Sequence, residues 1–149
     1  MNLVRLLYVS HLAEGCGPAE MGQILEVSRR NNRTIGVTGA LCYSDLGFLQ
    51  CLEGPAPAVN ELYRRIARDD RHIDVTLLDY TGIDHRDFGH WSMAYIRDDE
   101  IDVQILSRIR GTDTFDPFNL ASGEAIDYLK EIVAVRSEFL ACQQAEAEI

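Results

Sequence analysis

The stretch IGVTGALCYSDLGFLQCLEG, residues 35–54, decides the fold. Ile35 to Ser44 and Gly47 to Glu53 carry the aliphatic, aromatic and β-branched residues that suit strands, and the turn Ser44-Asp45-Leu46-Gly47 between them predicts a hairpin. In its second strand Phe48, Gln50 and Leu52 point one way while Leu49 and Cys51 point the other, because side chains alternate along a strand. Both faces are therefore apolar apart from one amide. Such a strand belongs inside a sheet that is covered on both sides.

Upstream, Leu3 to Ser10 reads as another strand of this kind, with Leu6 and Tyr8 opposed to Leu7 and Val9, and the cluster Gly15-Cys16-Gly17-Pro18 ends it. A helix starts near Pro18, a residue suited to a first turn, and Met21, Ile24 and Leu25 follow helical spacing. The same stripe continues through Ser28, Asn31 and Asn32, so the inward face turns polar toward its end. Downstream, Pro55 and Pro57 stop the hairpin, and a second helix puts Val59, Leu62, Tyr63 and Ile66 on one face with Arg64, Arg65 and Arg68 at its edges. Ile73 to Tyr80 and Trp91 to Ile96 supply the last two strands.

The order is βαββαβ with an added strand. It predicts an α+β, ferredoxin-like sandwich with a mixed five-stranded sheet and two helices on one face. Those helices cover one face only, so C-terminal helices are expected on the other. A short helix is expected through Arg108 and a loop from Gly111 to Asn119. Ser122 then caps a final helix striped by Ile126, Leu129, Val133 and Leu140. This divides the chain into a domain at 3–97 and an extension at 98–149 that packs on the sheet or meets a partner.

The 149 residues suffice for one compact domain. The balance of 14 basic against 24 acidic side chains, a net charge of −10, argues against nucleic-acid and anionic-membrane binding. No apolar run approaches the roughly 20 residues of a membrane helix, and no signal peptide precedes the first strand, so a cytoplasmic protein is expected. The acidic run Asp98 to Asp102 is a solvated helix start. Cys16, Cys42, Cys51 and Cys142 form no CxxC pair and stand at no zinc-ligand spacing from His11, His72, His85 or His90, which predicts thiols and no metal.

Gly15-Cys16-Gly17 lies where a dinucleotide fingerprint would, but Glu20 takes the place of its third glycine, and neither a nucleophile elbow nor a Walker motif occurs. What stands out is polar. Tyr8 and Gln50 sit on otherwise apolar strand faces, and Ser28, Asn31 and Asn32 lie on the inward side of the first helix. They form either a private hydrogen-bond network or the rim of a site for a polar-edged planar ligand between the helices. Five such side chains aimed at one region favour the ligand.

Several segments carry a resemblance. They are Arg5-Leu6-Leu7-Tyr8-Val9-Ser10, Ser28-Arg29-Arg30-Asn31-Asn32 followed by Gly36-Val37-Thr38-Gly39-Ala40-Leu41, Phe48-Leu49-Gln50-Cys51-Leu52-Glu53-Gly54, Arg71-His72 after Asp69, and Phe88-Gly89-His90-Trp91-Ser92-Met93. In this order and at this spacing, over about residues 3–97, they resemble the BLUF family of blue-light sensors using FAD. The resemblance implies a non-covalently bound flavin between the two helices, FAD by the family's habit, although FMN or riboflavin shares the ring. Tyr8 would be the photochemical donor of an electron and a proton, and Gln50 the amide between Tyr8 and the flavin. Cofactor contacts would come from Ser28, Asn31, Asn32, Gln50, Arg65, Ile66, Asp69, Arg71 and His72. Trp91 and Met93 would relay the change.

The implied role is a stand-alone receptor without enzymatic activity, whose light-shifted hydrogen bonds alter contacts with an effector or response-regulator-like protein in trans. A homo-oligomer, dimer or larger ring, goes with it. A light-independent flavin oxidoreductase and a cofactor-free ferredoxin-like interaction module are the competing readings.

Overall fold

The structure is a computed structural model that describes residues 2–16, 18–44, 47–89, 94–97, 116–121 and 123–134. The elements run β1 (Leu3–Leu12), α1 (Pro18–Ile35), β2 (Thr38–Ser44), β3 (Gly47–Pro55), α2 (Ala56–Arg68), β4 (His72–Ile83) and β5 (Ala94–Arg97). Residues 123–134 form a further helix, α3. The sheet has five strands in the order β4-β1-β3-β2-β5. β3 is antiparallel to both β1 and β2, β4 is antiparallel to β1, and β5 runs parallel to β2. This is the mixed ferredoxin-like sheet that the hairpin predicts.

One boundary differs. Ile35, assigned above to the second strand, is the last residue of α1. The helix ends at Gly36, whose φ of +73° is open to glycine at little cost, and the Val37 amide donates to the Asn32 carbonyl at 3.0 Å. This six-residue closure satisfies a carbonyl of the final turn, so β2 begins only at Thr38. β1 and β4 also run further than the sequence pattern suggests, to Leu12 and Ile83. The short helix expected through Arg108, the capping position Ser122, and Leu140 lie outside the described residues, as do His90, Trp91 and Met93.

The alternation read from the strands builds two cores. On the first face Val4, Leu6, Tyr8, Phe48 and Leu52 pack with Leu25 of α1 and Val59 of α2, and Leu62 and Ile66 lean on them. On the second, Leu7, Val9, Leu49 and Cys51 pack with Phe88 and with Tyr128, Leu129 and Val133 of α3. Each fully buried large aliphatic side chain contributes roughly 1.5–3 kcal/mol. Gly54 marks the tightest approach between α1's exit and the sheet: a methyl group there would stand 2.9 Å from the Gly36 carbonyl oxygen and 3.3 Å from the Val37 Cα.

Candidate functional site

Tyr8 and Gln50 meet because β1 and β3 pair them directly across the ladder. The Tyr8 hydroxyl donates to Gln50 Oε1 inside the first core, where Tyr8 has no exposure at all. Three rings surround the phenol, with centroids at 5.6 Å for Tyr63, 6.2 Å for His72 and 6.3 Å for Phe48. Burial pushes the phenol pKa well above its ordinary value, and the nearby Tyr63 and Asp69 push the same way. Tyr8 is therefore a neutral phenol with a hydrogen bond to give.

Between α1 and α2 lies a cleft of about 580 Å³, within the roughly 300–1,000 Å³ usual for small-molecule sites. Ser28, Asn31, Asn32, Arg65, Ile66, Asp69, Arg71 and His72 all line it. Gln50 is the exception among the expected cofactor contacts, for it is buried on β3 beside Tyr8 rather than in the lining. His72 joins the two groups. It lines the cleft, shares a hydrogen bond with Ser10 Oγ through Nδ1 at 3.0 Å, and sets its ring edge-on to Phe48 at 4.8 Å. Burial lowers its pKa, so the ring is neutral near pH 7.

The rest of the lining shows how the sequence builds it. Asn32 is buried and Asn31 is exposed toward the cleft, both placed by the last turn of α1 that Gly36 closes. Asp69 grips Arg71 through Nε at 2.9 Å and Nη2 at 2.5 Å, which holds its carboxyl pKa at about 2 and keeps it ionised. Arg65 is largely exposed and pairs with Glu61 at 3.6 Å, a surface contact of little energetic weight. Among the described residues no group of acidic, His or Cys side chains could hold a metal.

Several lining residues escape the sequence reading: Gln23, Ile24, Val27, Thr34, Ile35 and Leu62. Their signal is visible only in three dimensions. Val27 and Ile35 are 50% and 38% exposed, and both border the cleft. Apolar side chains left open beside convergent amides and guanidinium groups suit a ligand with flat apolar faces and a polar edge. A flavin ring has that character, and the donor set fits its pyrimidine edge and its phosphate.

Comparison with known proteins agrees. The profile of the family described as BLUF, sensors of blue-light using FAD, matches residues 3–94, and the chain belongs to this family. It is a blue-light photoreceptor whose cofactor is FAD. Among solved structures it is similar to the photo-activated state of BlsA, with a TM-score of 0.77 and 32% identity over 87% of this chain and 93% of that one. The dark-state structure of BlrB gives a TM-score of 0.76 and 31% identity, covering 91% of this chain and 97% of that one.

Longer relatives share only this part. A photoactivated adenylate cyclase subunit alpha of Euglena gracilis is 36% identical over 88 residues, 59% of this chain and 9% of the relative. The blue light- and temperature-regulated antirepressor BluF of Escherichia coli is 34% identical over 80 residues, 52% of this chain and 20% of the relative. The chain thus spans a fifth or less of these curated relatives. Among the described residues no helix is long and apolar enough to cross a membrane.

Proposed function

We propose that the chain is a light switch in which Tyr8 and Gln50 carry the photochemistry, the cleft holds the flavin, and residues 98–149 carry the output. The observation that supports this most strongly is the buried hydrogen bond from the Tyr8 hydroxyl to Gln50 Oε1, next to the cleft-lining His72, whose ring centroid is 6.2 Å from that of Tyr8. When bound and excited by blue light, the flavin supplies a strong one-electron oxidant, which is the cofactor's own chemistry. Tyr8 would yield the electron and then recover it, together with its proton, once the Gln50 amide has rearranged, so that no net redox change remains. A phenol that loses an electron becomes a strong acid, and the hydrogen bond already delivers its proton toward Gln50 Oε1.

Gln50 then acts as the switch, because one end of its amide donates and the other accepts. Rotation of the amide and its tautomerisation both exchange those ends and change the hydrogen bond offered to the flavin without moving the backbone. Stronger donation to the ring's carbonyl shifts absorption to the red. In this reading Asn31 and Asn32 hold the pyrimidine edge, Ser28 supports the Gln50 region, and Ile66 packs on the ring. Arg65, Arg71 with Asp69, and His72 stand along the ring edge and toward the phosphate.

Trp91 and Met93 relay the change to the extension, which meets an effector or response-regulator-like protein in trans and a second copy of the chain in a dimer or ring. The chain performs no catalysis and works in the cytoplasm, in keeping with Cys16, Cys42 and Cys51 forming no disulfide.

The test is a difference spectrum of the flavin-loaded protein before and after blue light. A small red shift that reverses in darkness with the flavin still oxidised is expected. Tyr8→Phe should keep the flavin and abolish the shift, as should Gln50→Leu. A normal photocycle in either variant refutes the role given to that residue.

A further inference from the structure

On the second face of the sheet one cross-strand row is polar. Arg5, Glu53 and Thr38 stand side by side on β1, β3 and β2, and the chain that follows β4 lies across them. Arg86 Nη1 donates to Thr38 Oγ1 at 3.0 Å and to the Glu53 main-chain carbonyl at 3.4 Å. Asp87 Oδ2 accepts from Arg5 Nη1 at 2.9 Å. The amides of Asp87 and Phe88 donate to the two carboxylate oxygens of Glu53, at 3.1 Å and 2.7 Å. Consecutive residues of one loop therefore engage three neighbouring strands.

Glu53 is the centre of this dock. It has no exposure, and it lies three positions along β3 from Gln50 with its side chain on the opposite face. A buried carboxylate is costly unless it is fully bonded, and bonds from amides to an ionised acceptor are about twice as strong as neutral ones. The loop in turn reaches α3. Asp87 Oδ1 pairs with Lys130 Nζ at 3.5 Å, and the Phe88 ring packs in the core that holds Tyr128 and Leu129.

We infer that Glu53 is a positioning residue that passes a change at Gln50 from β3, through the loop 86–88, to α3; this rests on the photoreceptor reading above. A strand moves as a unit over a few residues, so a displacement of β3 carries the carboxylate with it. Two amides fixed to that carboxylate must follow, and they carry Asp87 and Phe88 against α3. Coupling between distant sites needs a contiguous set of bonded and packed groups, and this set is unbroken from Gln50's strand to Lys130.

The experiment is hydrogen exchange of the full chain loaded with FAD, in darkness and under blue light, with absorption spectra taken on the same samples. In the unaltered protein, light should change exchange both at 86–88 and over 123–134. Glu53→Gln should keep the red shift, raise dark exchange of the Asp87 and Phe88 amides about tenfold, as one lost charge-assisted bond implies, and remove the light response over 123–134. Lys130→Gln, at an exposed position that leaves folding intact even if Glu53→Gln does not fold, should keep the shift and the response at 86–88 and diminish that of α3.

An α3 response unchanged in both variants overturns the inference, and so does a red shift in the unaltered protein with no response over 123–134. Absence of the shift itself refutes the photoreceptor reading and takes this inference with it.

Discussion

The two faces of the sheet are made from the same strands and differ by one position in parity, yet they solve opposite problems. The second face closes: Leu7, Val9, Leu49 and Cys51 meet Tyr128, Leu129 and Val133, and the buried side chain of Glu53 is held by two amides. The first face stays partly open. Tyr8 and Gln50 bond each other in its core, and α1 and α2 stand far enough apart to leave the cleft. A sheet covered on both sides can thus dedicate one face to stability and use the other to hold a hydrogen-bonded polar pair away from water.

Substitutions can break this contrast. The largest stability effect is expected on the closed face: Leu49→Ala removes a fully buried side chain and should cost about 2–5 kcal/mol in urea unfolding, while the folded fraction keeps its red shift. A loss under about 1 kcal/mol would mean that α3 contributes little to that core. On the open face, Val27→Asp should weaken flavin binding by about tenfold or more in a fluorescence titration, with apoprotein stability changed by no more than about 0.5 kcal/mol. Equal damage to both quantities would place Val27 in the core rather than at the ligand.

His72 sharpens the contrast through pH. Burial holds its folded-state pKa below the ordinary 6.5, so below pH 6.5 the unfolded chain binds a proton that the folded chain resists. Stability is therefore full above that pH and falls on acidification, levelling once the folded form also protonates. Melting curves from pH 8 to 5 should show this decline, and His72→Gln should flatten it. The smallest effect is expected at the α2 surface, where Arg64→Ala removes a 3.5 Å pair with Glu61 and should shift stability by less than about 0.5 kcal/mol.

The hairpin at 35–54 carried most of the fold, because alternation in β3 and β1 is a strict consequence of strand geometry and both faces declared themselves apolar. Ile35 was misplaced for a local reason. Its aliphatic branched side chain suits a strand, while the stop signal, Gly36, works through a backbone closure onto Asn32 that composition does not display. Tyr8, Gln50 and Asn32 were legible as polar intrusions on apolar faces. Val27, Thr34 and Leu62 were not, since only the spacing between α1 and α2 turns an ordinary helix position into a cleft wall. Glu53 was legible as part of a motif but not as a clamp, because its partners at 87 and 88 are 34 and 35 residues away and are backbone amides, which have no sequence signature.

The absent side chain of Gly54 leaves room for the Gly36 carbonyl, whose oxygen an added methyl group would meet at 2.9 Å. Because the exit of α1 lies close against β3 at this point, the helix end that bears Asn31 and Asn32 is held near the strand that bears Gln50. A methyl group at position 54 would force the backbone at Gly36 and Val37 to shift, and Gly54→Ala is expected to weaken the binding of a flat molecule in the cleft. Two residues that stand outside the cleft thereby help to set the position of the asparagines that line it.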